Sequence, residues 1–212
     1  MTIGVFDSGI GGEAVAASLA KAFPQADIVT VNDREHVPYG SRGETEITSL
    51  TDAAIQPLLG RNVIVIACNT ATAVAIDWLR ERYPGQLFVG IEPMVGPATR
   101  LTQSGAVTIC ATPATLGSAR YAQLKQIYSC NVSFHEPDCS AWSRMIEDNA
   151  MNTAAIDEMV DAARAHKSDV IVLACTHYHW IKQDIMSRSA DFATVIDPSD
   201  AIARHIRELV SS

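Results

Sequence analysis

Two cysteines stand at matching places in the sequence: Cys68 follows the apolar run VIVIA, and Cys175 follows VIVLA. The cysteines lie 107 residues apart, and short β-branched runs of this kind predict buried strands. Ligands bind at the carboxyl ends of parallel strands, so both thiols are expected at ligand-facing edges. If the two units face each other, one thiolate can remove a proton from a tetrahedral carbon while the other thiol returns one to the opposite face.

Cysteines in such a sequence have other common roles, in the core, in disulfides and in metal sites. A free cysteine is most often a buried core residue, and we predict this role for Cys110, Cys130 and Cys139. At Cys68 and Cys175 the polar turns that follow the strands favour chemistry instead. A disulfide between them is disfavoured in a reducing cell. A zinc site is not expected either, because no C-x-x-C pair accompanies the nearby histidines, His177 and His179.

Polar and glycine-rich segments follow several of the predicted strands. Asn69 and Thr70 open one helix, Thr112 precedes another, and Asp7–Gly12 follows the first strand. Free N–H groups at helix N-termini suit carboxylate ligands, although each polar residue taken singly could equally serve as a helix cap. The glycines of the first loop weakly resemble a phosphate-binding loop, but the spacing is not G-x-G-x-x-G and no lysine follows.

The elements that must position these residues alternate between strand and helix along the chain. Solidly apolar strands between helices predict an α/β fold with mainly parallel sheets covered on both faces. Two more pairs of runs repeat at offsets of 104 and 105 residues, which predicts a duplicated α/β unit. These pairs are Ile3–Asp7 with Val107–Ala111 and Val89–Pro93 with Thr194–Pro198. We predict a first domain of residues 1–94 plus 195–212 with Cys68, a second of 95–194 with Cys175, and an active site in the cleft between them.

Composition limits the classes of partner. The chain has 212 residues, of which 48% are hydrophobic and 19% charged, so a packed core is expected rather than disorder. The net charge of -8 argues against a nucleic-acid partner. No apolar stretch reaches the ~18 residues of a membrane helix, so no membrane partner is expected. The segment Met1–Val5 lacks a signal-peptide pattern and the five cysteines are scattered, so we expect a cytoplasmic protein.

Six segments resemble the motifs of the glutamate racemase family, in the family's order and over nearly the whole chain. They are Asp7–Gly12, Val37–Ser41, Ala67–Ala71, Ile91–Pro93, Ala111–Thr115 and Cys175–Tyr178. The resemblance implies two pseudo-symmetric flavodoxin-like domains and an amino-acid racemase that needs no cofactor. It also implies L- and D-glutamate as substrates, a role in supplying D-glutamate for peptidoglycan and cell shape, and a homodimer as a common arrangement.

The resemblance assigns roles to individual residues. Cys68 and Cys175 would be the acid/base thiols, with Asp7 assisting the first and His177 the second. Glu147 matches a family glutamate near the second cysteine; the alternative is an ordinary surface carboxylate. The positions that would hold the substrate are Asp7, Ser8, Pro38, Tyr39, Gly40, Ser41, Cys68, Asn69, Thr70, Thr112, Thr115, Cys175, Thr176 and His177.

The sequence departs from the family pattern at two positions, and the chain after Cys175 is shorter than is usual in the family. His36 stands where an arginine is usual, and His179 stands where a proline usually follows the tyrosine. Two other functions stay open at this point: racemisation of another acidic amino acid such as aspartate, and non-catalytic binding of an amino acid. The paired cysteines disfavour the second, because a protein that only binds has no need of two thiols.

Overall fold

A computed structural model describes residues 1–128 and 131–210, which form two α/β halves of the same design. Each half contains a four-stranded, all-parallel sheet, which confirms the predicted fold class. Parallel neighbours need a crossover, and a helix follows almost every strand. The strands of the described chain are β1 (Thr2–Asp7), β2 (Asp27–Asn32), β3 (Val63–Ile66), β4 (Phe88–Gly90), β5 (Ala106–Cys110), β6 (Ser133–His135), β7 (Val170–Leu173) and β8 (Thr194–Ile196).

The helices cover the faces of both sheets, with short 3₁₀ turns at Tyr39–Ser41, Gln56–Leu58 and Thr176–Ile181. The α-helices in the described residues are α1 (Gly11–Ala22), α2 (Glu44–Ile55), α3 (Asn69–Arg82), α4 (Val95–Leu101), α5 (Pro113–Leu116), α6 (Ala119–Tyr128), α7 (Trp142–Glu147), α8 (Thr153–Ala165), α9 (Lys182–Ser189) and α10 (Ser199–Val210). The short α5 and the following α6 are separate helices, because the Ser118 hydroxyl accepts the Tyr121 N–H at 3.1 Å and caps the start of α6. None of the described helices is long and apolar enough to cross a bilayer.

The two sheets share one topology. The strand orders are β2-β1-β3-β4 and β6-β5-β7-β8, so β1, β3 and β4 hold the same places as β5, β7 and β8. These are the three pairs of runs that repeat in the sequence, and the predicted duplication is therefore confirmed. The order is the one with which flavodoxin-like sheets begin, and in such sheets ligands bind where the strand order reverses, between the first and third strands.

The predicted domain boundary at residue 195 was wrong. It cuts β8, which pairs with β7 in the second sheet, with Thr194 opposite Val170. The chain returns to the first half only after this strand. There α10 packs Ile202 and Ile206 into the same apolar cluster as Ile3 and Val5 of β1.

Both faces of each sheet are buried. In β3, Val63 and Val65 pack on one face and Ile64 and Ile66 on the other, and all four are fully buried. Fully burying a side chain of this size contributes roughly 1.5–3 kcal/mol. The continuous apolar runs seen in the sequence are thus explained by a sheet that has no solvent face.

The cysteines outside the two motifs were predicted to lie in the core. Cys110 and Cys139 are buried in one apolar cluster of the second half, as predicted. Cys130 lies outside the described residues, so its prediction stays open.

Candidate active site

The site forms where the carboxyl ends of the central strands of the two halves meet. Asp7 is the last residue of β1, Cys68 follows β3, and Cys175 follows β7. All three side chains are buried. The two sulfurs lie within electrostatic range, because charge on Cys175 is one of the factors that raise the pKa of Cys68. The sequence-predicted thiols are therefore brought together at one junction between the halves.

Cys68 is the N-cap of α3, a place that the sequence had suggested for Asn69 or Thr70. Its Sγ accepts the Ala71 N–H at 3.4 Å and lies 3.2 Å from the Ser8 hydroxyl. Burial and the nearby Asp7 carboxylate raise the pKa of Cys68 to about 12, against the opposing effect of these two hydrogen bonds. Cys68 is therefore a protonated thiol near neutral pH in the unliganded protein.

Cys175 has a different environment. Its Sγ lies 3.7 Å from Nδ1 of His177 and 3.5 Å from the Ser143 hydroxyl. The other ring nitrogen of His177, Nε2, lies 2.7 Å from Oε1 of Glu147. That same carboxylate oxygen accepts the Ile10 N–H at 2.9 Å, so the first half of the chain orients a carboxylate that belongs to the second. The result is a chain of contacts from a backbone amide through carboxylate and imidazole to the thiol.

The histidine and the glutamate stabilise each other's charged forms. Burial lowers the pKa of His177, but its hydrogen bonds to Cys175 and Glu147 raise it to about 11. The hydrogen bond from His177 lowers the pKa of Glu147 in turn. The Glu147 side chain is only 12% exposed and contacts His177, which argues against the alternative of an ordinary surface carboxylate. Near neutral pH the Cys175 side of the site holds an imidazolium–carboxylate pair.

Asp7 connects the two halves. Its Oδ2 accepts the Thr176 hydroxyl at 2.8 Å, and its Oδ1 accepts the Gly9 N–H at 2.8 Å. Burial raises the pKa of Asp7 to about 6, and the charge of His177 together with these hydrogen bonds opposes the increase. A carboxyl group with this pKa can hold or release a proton near neutral pH.

The glycines of the first loop have a packing explanation. A Cβ at Gly9 would lie 2.2 Å from Oε1 of Glu147, and one at Gly11 would lie 2.4 Å from Cβ of Thr176. A Cβ at Gly12 would lie 2.6 Å from that of Asp7. Gly9 and Gly11 are required where the two halves approach each other closely, and Gly12 where α1 packs against the end of β1, so packing accounts for the pattern without a phosphate ligand.

Uncharged polar groups line the rest of the junction. The hydroxyl oxygens of Thr70 and Thr112 lie 2.8 Å apart, and that of Thr115 lies 3.0 Å from Thr112. Asn69 is buried, and neither its Oδ1 nor its Nδ2 has a hydrogen-bond partner among the described residues. Because a buried amide without partners is costly, these atoms point to a polar ligand.

The loop before α2 completes the lining beside Cys68. The Val37–Pro38 peptide is cis, and Tyr39 and Gly40 are buried while Ser41 is exposed. A Cβ at Gly40 would lie 2.7 Å from that of Thr112, so this loop also touches the second half. Ser41 is thus the one predicted substrate residue that the fold leaves open to solvent.

Three contributors to the site were missed by sequence reasoning. Ser143 lies beside Cys175, the backbone of Ile10 holds Glu147, and Asp33 accepts the Tyr39 hydroxyl at 2.7 Å. The first two act across large sequence separations and leave no local signal. Within the described residues, no group of three or more histidine, cysteine, aspartate or glutamate side chains could hold a metal ion.

Residues 11–206 match the model of the Asp/Glu/hydantoin racemase family. The chain is 37% identical to a glutamate racemase of Ectopseudomonas mendocina over 98% of its own length and 81% of that protein. It is 34% identical to a glutamate racemase of Deinococcus radiodurans, over 100% of the chain and 75% of the relative.

Solved structures give a concordant result. The fold is similar to Escherichia coli glutamate racemase in complex with L-glutamate and an activator, with a TM-score of 0.88 and 26% identity over 99% of this chain and 82% of that one. A glutamate racemase isoform of Bacillus anthracis has a TM-score of 0.86 at 26% identity, over 99% and 81% of the two chains. An allantoin racemase of Pseudomonas fluorescens, at 19% identity and a TM-score of 0.65, shares the fold.

Proposed function

The chain belongs to the Asp/Glu/hydantoin racemase family and is therefore an isomerase; on that premise we propose that it interconverts L- and D-glutamate by two-base proton transfer between Cys68 and Cys175. The observation that carries this proposal is the pair of buried thiols at equivalent strand ends of two duplicated halves. Two acid/base groups on opposite sides of one carbon are what inversion at Cα requires.

In the proposed reaction no atom is gained or lost overall. One cysteine, as thiolate, takes the α-hydrogen as a proton and leaves the electron pair on Cα. The other thiol donates its own proton to the opposite face of that carbon. By analogy with the family, Cys175 acts on the L-enantiomer and Cys68 on the D-enantiomer.

The flanking groups would supply and receive protons at the two sulfurs. Asp7 lies on the Cys68 side, and its pKa of about 6 allows it to change protonation near neutral pH. His177, held by Glu147, would stabilise negative charge on Cys175, since an imidazolium lies 3.7 Å from that sulfur. The Cys175 side therefore has a cation next to its sulfur, whereas Cys68 starts as the neutral acid.

Substrate recognition would depend on neutral donors rather than cations. The unpartnered amide of Asn69 and the hydroxyls of Thr70, Thr112 and Thr115 would bind carboxylate oxygens. The α-hydrogen of an amino acid is a very weak acid, so preorganised donors and exclusion of water would both be needed. The thiols and their partners are buried, and the halves must therefore separate to admit substrate.

In its cellular role, the enzyme would supply D-glutamate for peptidoglycan from the cytoplasm, working without a cofactor. A homodimer is the arrangement we expect in solution.

The test is turnover of L-glutamate, D-glutamate, L-aspartate and D-aspartate by the purified, reduced protein without added cofactor, followed by circular dichroism of the amino acid. We expect glutamate to racemise in both directions. Aspartate turnover alone would replace the substrate assignment. Absence of turnover by folded protein with free thiols would leave a binding role.

Variants test the mechanism separately. Cys68→Ser and Cys175→Ser should each lose racemisation by at least about a thousandfold, because the serine hydroxyl is a far weaker acid than the thiol. Cys110→Ala is the matched control, since this thiol is fully buried in the second half and is not part of the proposed mechanism. Full activity in either serine variant would refute the two-thiol mechanism.

Deuterium oxide gives an independent readout. With two bases, the product enantiomer acquires solvent deuterium at Cα from the second thiol, while the unreacted enantiomer stays protonated early in the reaction. A single base would place deuterium in both enantiomers from the start.

A further inference from the structure

The segment between β2 and α2 contains a hydrogen-bonded cluster that the proposed chemistry does not use. Asp33 accepts the Tyr39 hydroxyl at 2.7 Å, and its two carboxylate oxygens lie 2.9 and 3.1 Å from Nδ1 of His36. Asp33 is itself fixed, because its N–H donates to the backbone oxygen of Asp7 at 2.9 Å. The cluster is thus anchored to the end of β1.

The opposite end of the cluster is the loop beside Cys68. Tyr39 is 1% exposed, and its ring packs against Phe6 with centroids 6.2 Å apart. The next residue, Gly40, approaches the second half so closely that a Cβ there would lie 2.7 Å from that of Thr112. A rotation of the Tyr39 ring would therefore move backbone that lines the cleft.

The loop is also tied on its solvent side. The Arg42 N–H donates to the Tyr39 carbonyl at 3.0 Å, and Nε of Arg42 donates to the His36 carbonyl at 2.8 Å. The Arg42 guanidinium in turn pairs with Glu46 of α2. Asp33 connects the buried and the solvent-facing parts of this loop, because its carboxylate is hydrogen-bonded to both the buried Tyr39 and the partly exposed His36.

We propose that Asp33 is a positioning residue that, with His36, clamps the Tyr39 hydroxyl and holds the loop Val37–Ser41 in the shape that receives substrate beside Cys68. This inference rests on the proposed function for its effect on turnover, but its structural part stands on the free protein. Loss of the clamp would lower the fraction of molecules with a competent loop and raise the apparent dissociation constant by that factor. Chemistry in the occupied site would be unaffected.

The matched control lies elsewhere in the first half. Tyr83 donates its hydroxyl to Oδ1 of Asp52 at 2.6 Å, the same kind of bond in a part-buried setting between α2 and the end of α3. Tyr83→Phe therefore removes a tyrosine–carboxylate hydrogen bond, together with the one that the Tyr83 hydroxyl accepts from Gln56 at 2.8 Å, without touching the cleft. Comparing it with Tyr39→Phe separates loop positioning from a general loss of stability.

The experiment measures kcat, KM and backbone amide exchange for five variants. They are Asp33→Ala, Asp33→Asn, Tyr39→Phe, the double variant of Asp33→Ala with Tyr39→Phe, and the control Tyr83→Phe. We expect Tyr39→Phe and Asp33→Ala each to raise KM for glutamate about tenfold with kcat within about twofold, as for loss of a charged hydrogen bond. Asp33→Asn keeps an acceptor and should rescue most of the effect. The double variant should be no worse than the singles, because both remove one interaction.

Amide exchange distinguishes this inference from the proposed function. In the free protein, the backbone amides of residues 37–42 should exchange at least about fivefold faster in Tyr39→Phe and Asp33→Ala than in the unmodified protein. In Tyr83→Phe their exchange rates should be unchanged. Unaltered exchange and KM in both clamp variants would overturn the clamp while leaving racemisation intact. If the unmodified protein turned over no glutamate, the proposed function would fail, and the exchange data alone would decide the clamp.

Discussion

Asp7→Asn should make the protein more stable near neutral pH while impairing its activity. Asp7 is fully buried, and burial raises its pKa from the ordinary 3.8 to about 6. An asparagine can keep both contacts, accepting the Gly9 N–H and donating to the Thr176 hydroxyl. The substitution therefore resembles the protonated form of Asp7 without a change of shape.

The sign and size follow from linkage between protonation and folding. Below pH 3.8 both the folded and unfolded states are protonated at Asp7, and the wild type and the variant should be equally stable. Because the folded pKa is the higher one, stability that is present at low pH is lost as pH rises toward 6. Raising the pKa from 3.8 to about 6, at ~1.4 kcal/mol for each tenfold change in proton affinity, makes the variant about 3 kcal/mol more stable than the wild type above pH 6.5.

Urea unfolding of both proteins, followed by far-ultraviolet circular dichroism under reducing conditions between pH 4 and 7.5, measures this difference. Asp169→Asn is the control with opposite sign. Burial raises the pKa of Asp169, but hydrogen bonds from Thr102, Gln103 and Ser104 outweigh that effect and lower it. That variant should therefore lose stability at neutral pH and recover relative to wild type in acid. A stability difference for Asp7→Asn that is absent, or constant with pH, would refute the reasoning.

Three further substitutions test the site. Gly9→Ala would place a Cβ 2.2 Å from the Glu147 carboxylate, so we expect the unfolding free energy to fall by about 1–3 kcal/mol and the activity to fall as well. The control is Gly43→Ala, where a Cβ would have nothing within 4 Å and the unfolding free energy should change by under about 0.5 kcal/mol. Glu147→Gln removes a hydrogen bond and a charge that raise the pKa of His177, so NMR titration of the imidazole should give a lower pKa; an unchanged value would contradict the assigned pair. Thr112→Val removes a hydroxyl that lies 2.8 Å from that of Thr70 across the junction, and it should raise KM for glutamate about tenfold. An unchanged KM in the variant would contradict a role for this hydroxyl in binding.

The sequence predicted those elements whose burial determines their composition. Buried parallel strands must be apolar throughout, so β3 and β7 were visible as runs, and the cysteines after them were placed at the correct edge of the sheets. The repeat offset predicted the shared topology for the same reason. The boundary at residue 195 was misplaced because it cuts β8, a three-residue strand that the repeat had already matched with β4 and that pairs with β7 as β4 pairs with β3.

The site was less predictable wherever a contact joins distant segments. Glu147 and His177 are 30 residues apart, and the Ile10 amide that orients the carboxylate is 137 residues from it. The family resemblance, and not a pattern of spacing, led to Glu147. Ser143 and Asp33 were missed because a serine on a helix and an aspartate after a strand are ordinary residues until the fold shows what they touch.

The two halves share a topology but present different electrostatics to the cleft, and this difference fits a reversible proton transfer. Cys68 is a neutral thiol beside a carboxyl group with a pKa of about 6, whereas Cys175 is next to an imidazolium that Glu147 holds in its charged form. If both sulfurs were neutral, neither could remove the α-proton; if both were charged, neither could return one. The proposed two-base transfer needs one sulfur as base and the other as acid in each direction, and the two halves differ in the groups that surround their sulfurs. In the proposed mechanism Asp7 and His177 would restore the starting protonation of the two sulfurs, and this gives a physical reason for equivalent thiols to have different titratable neighbours.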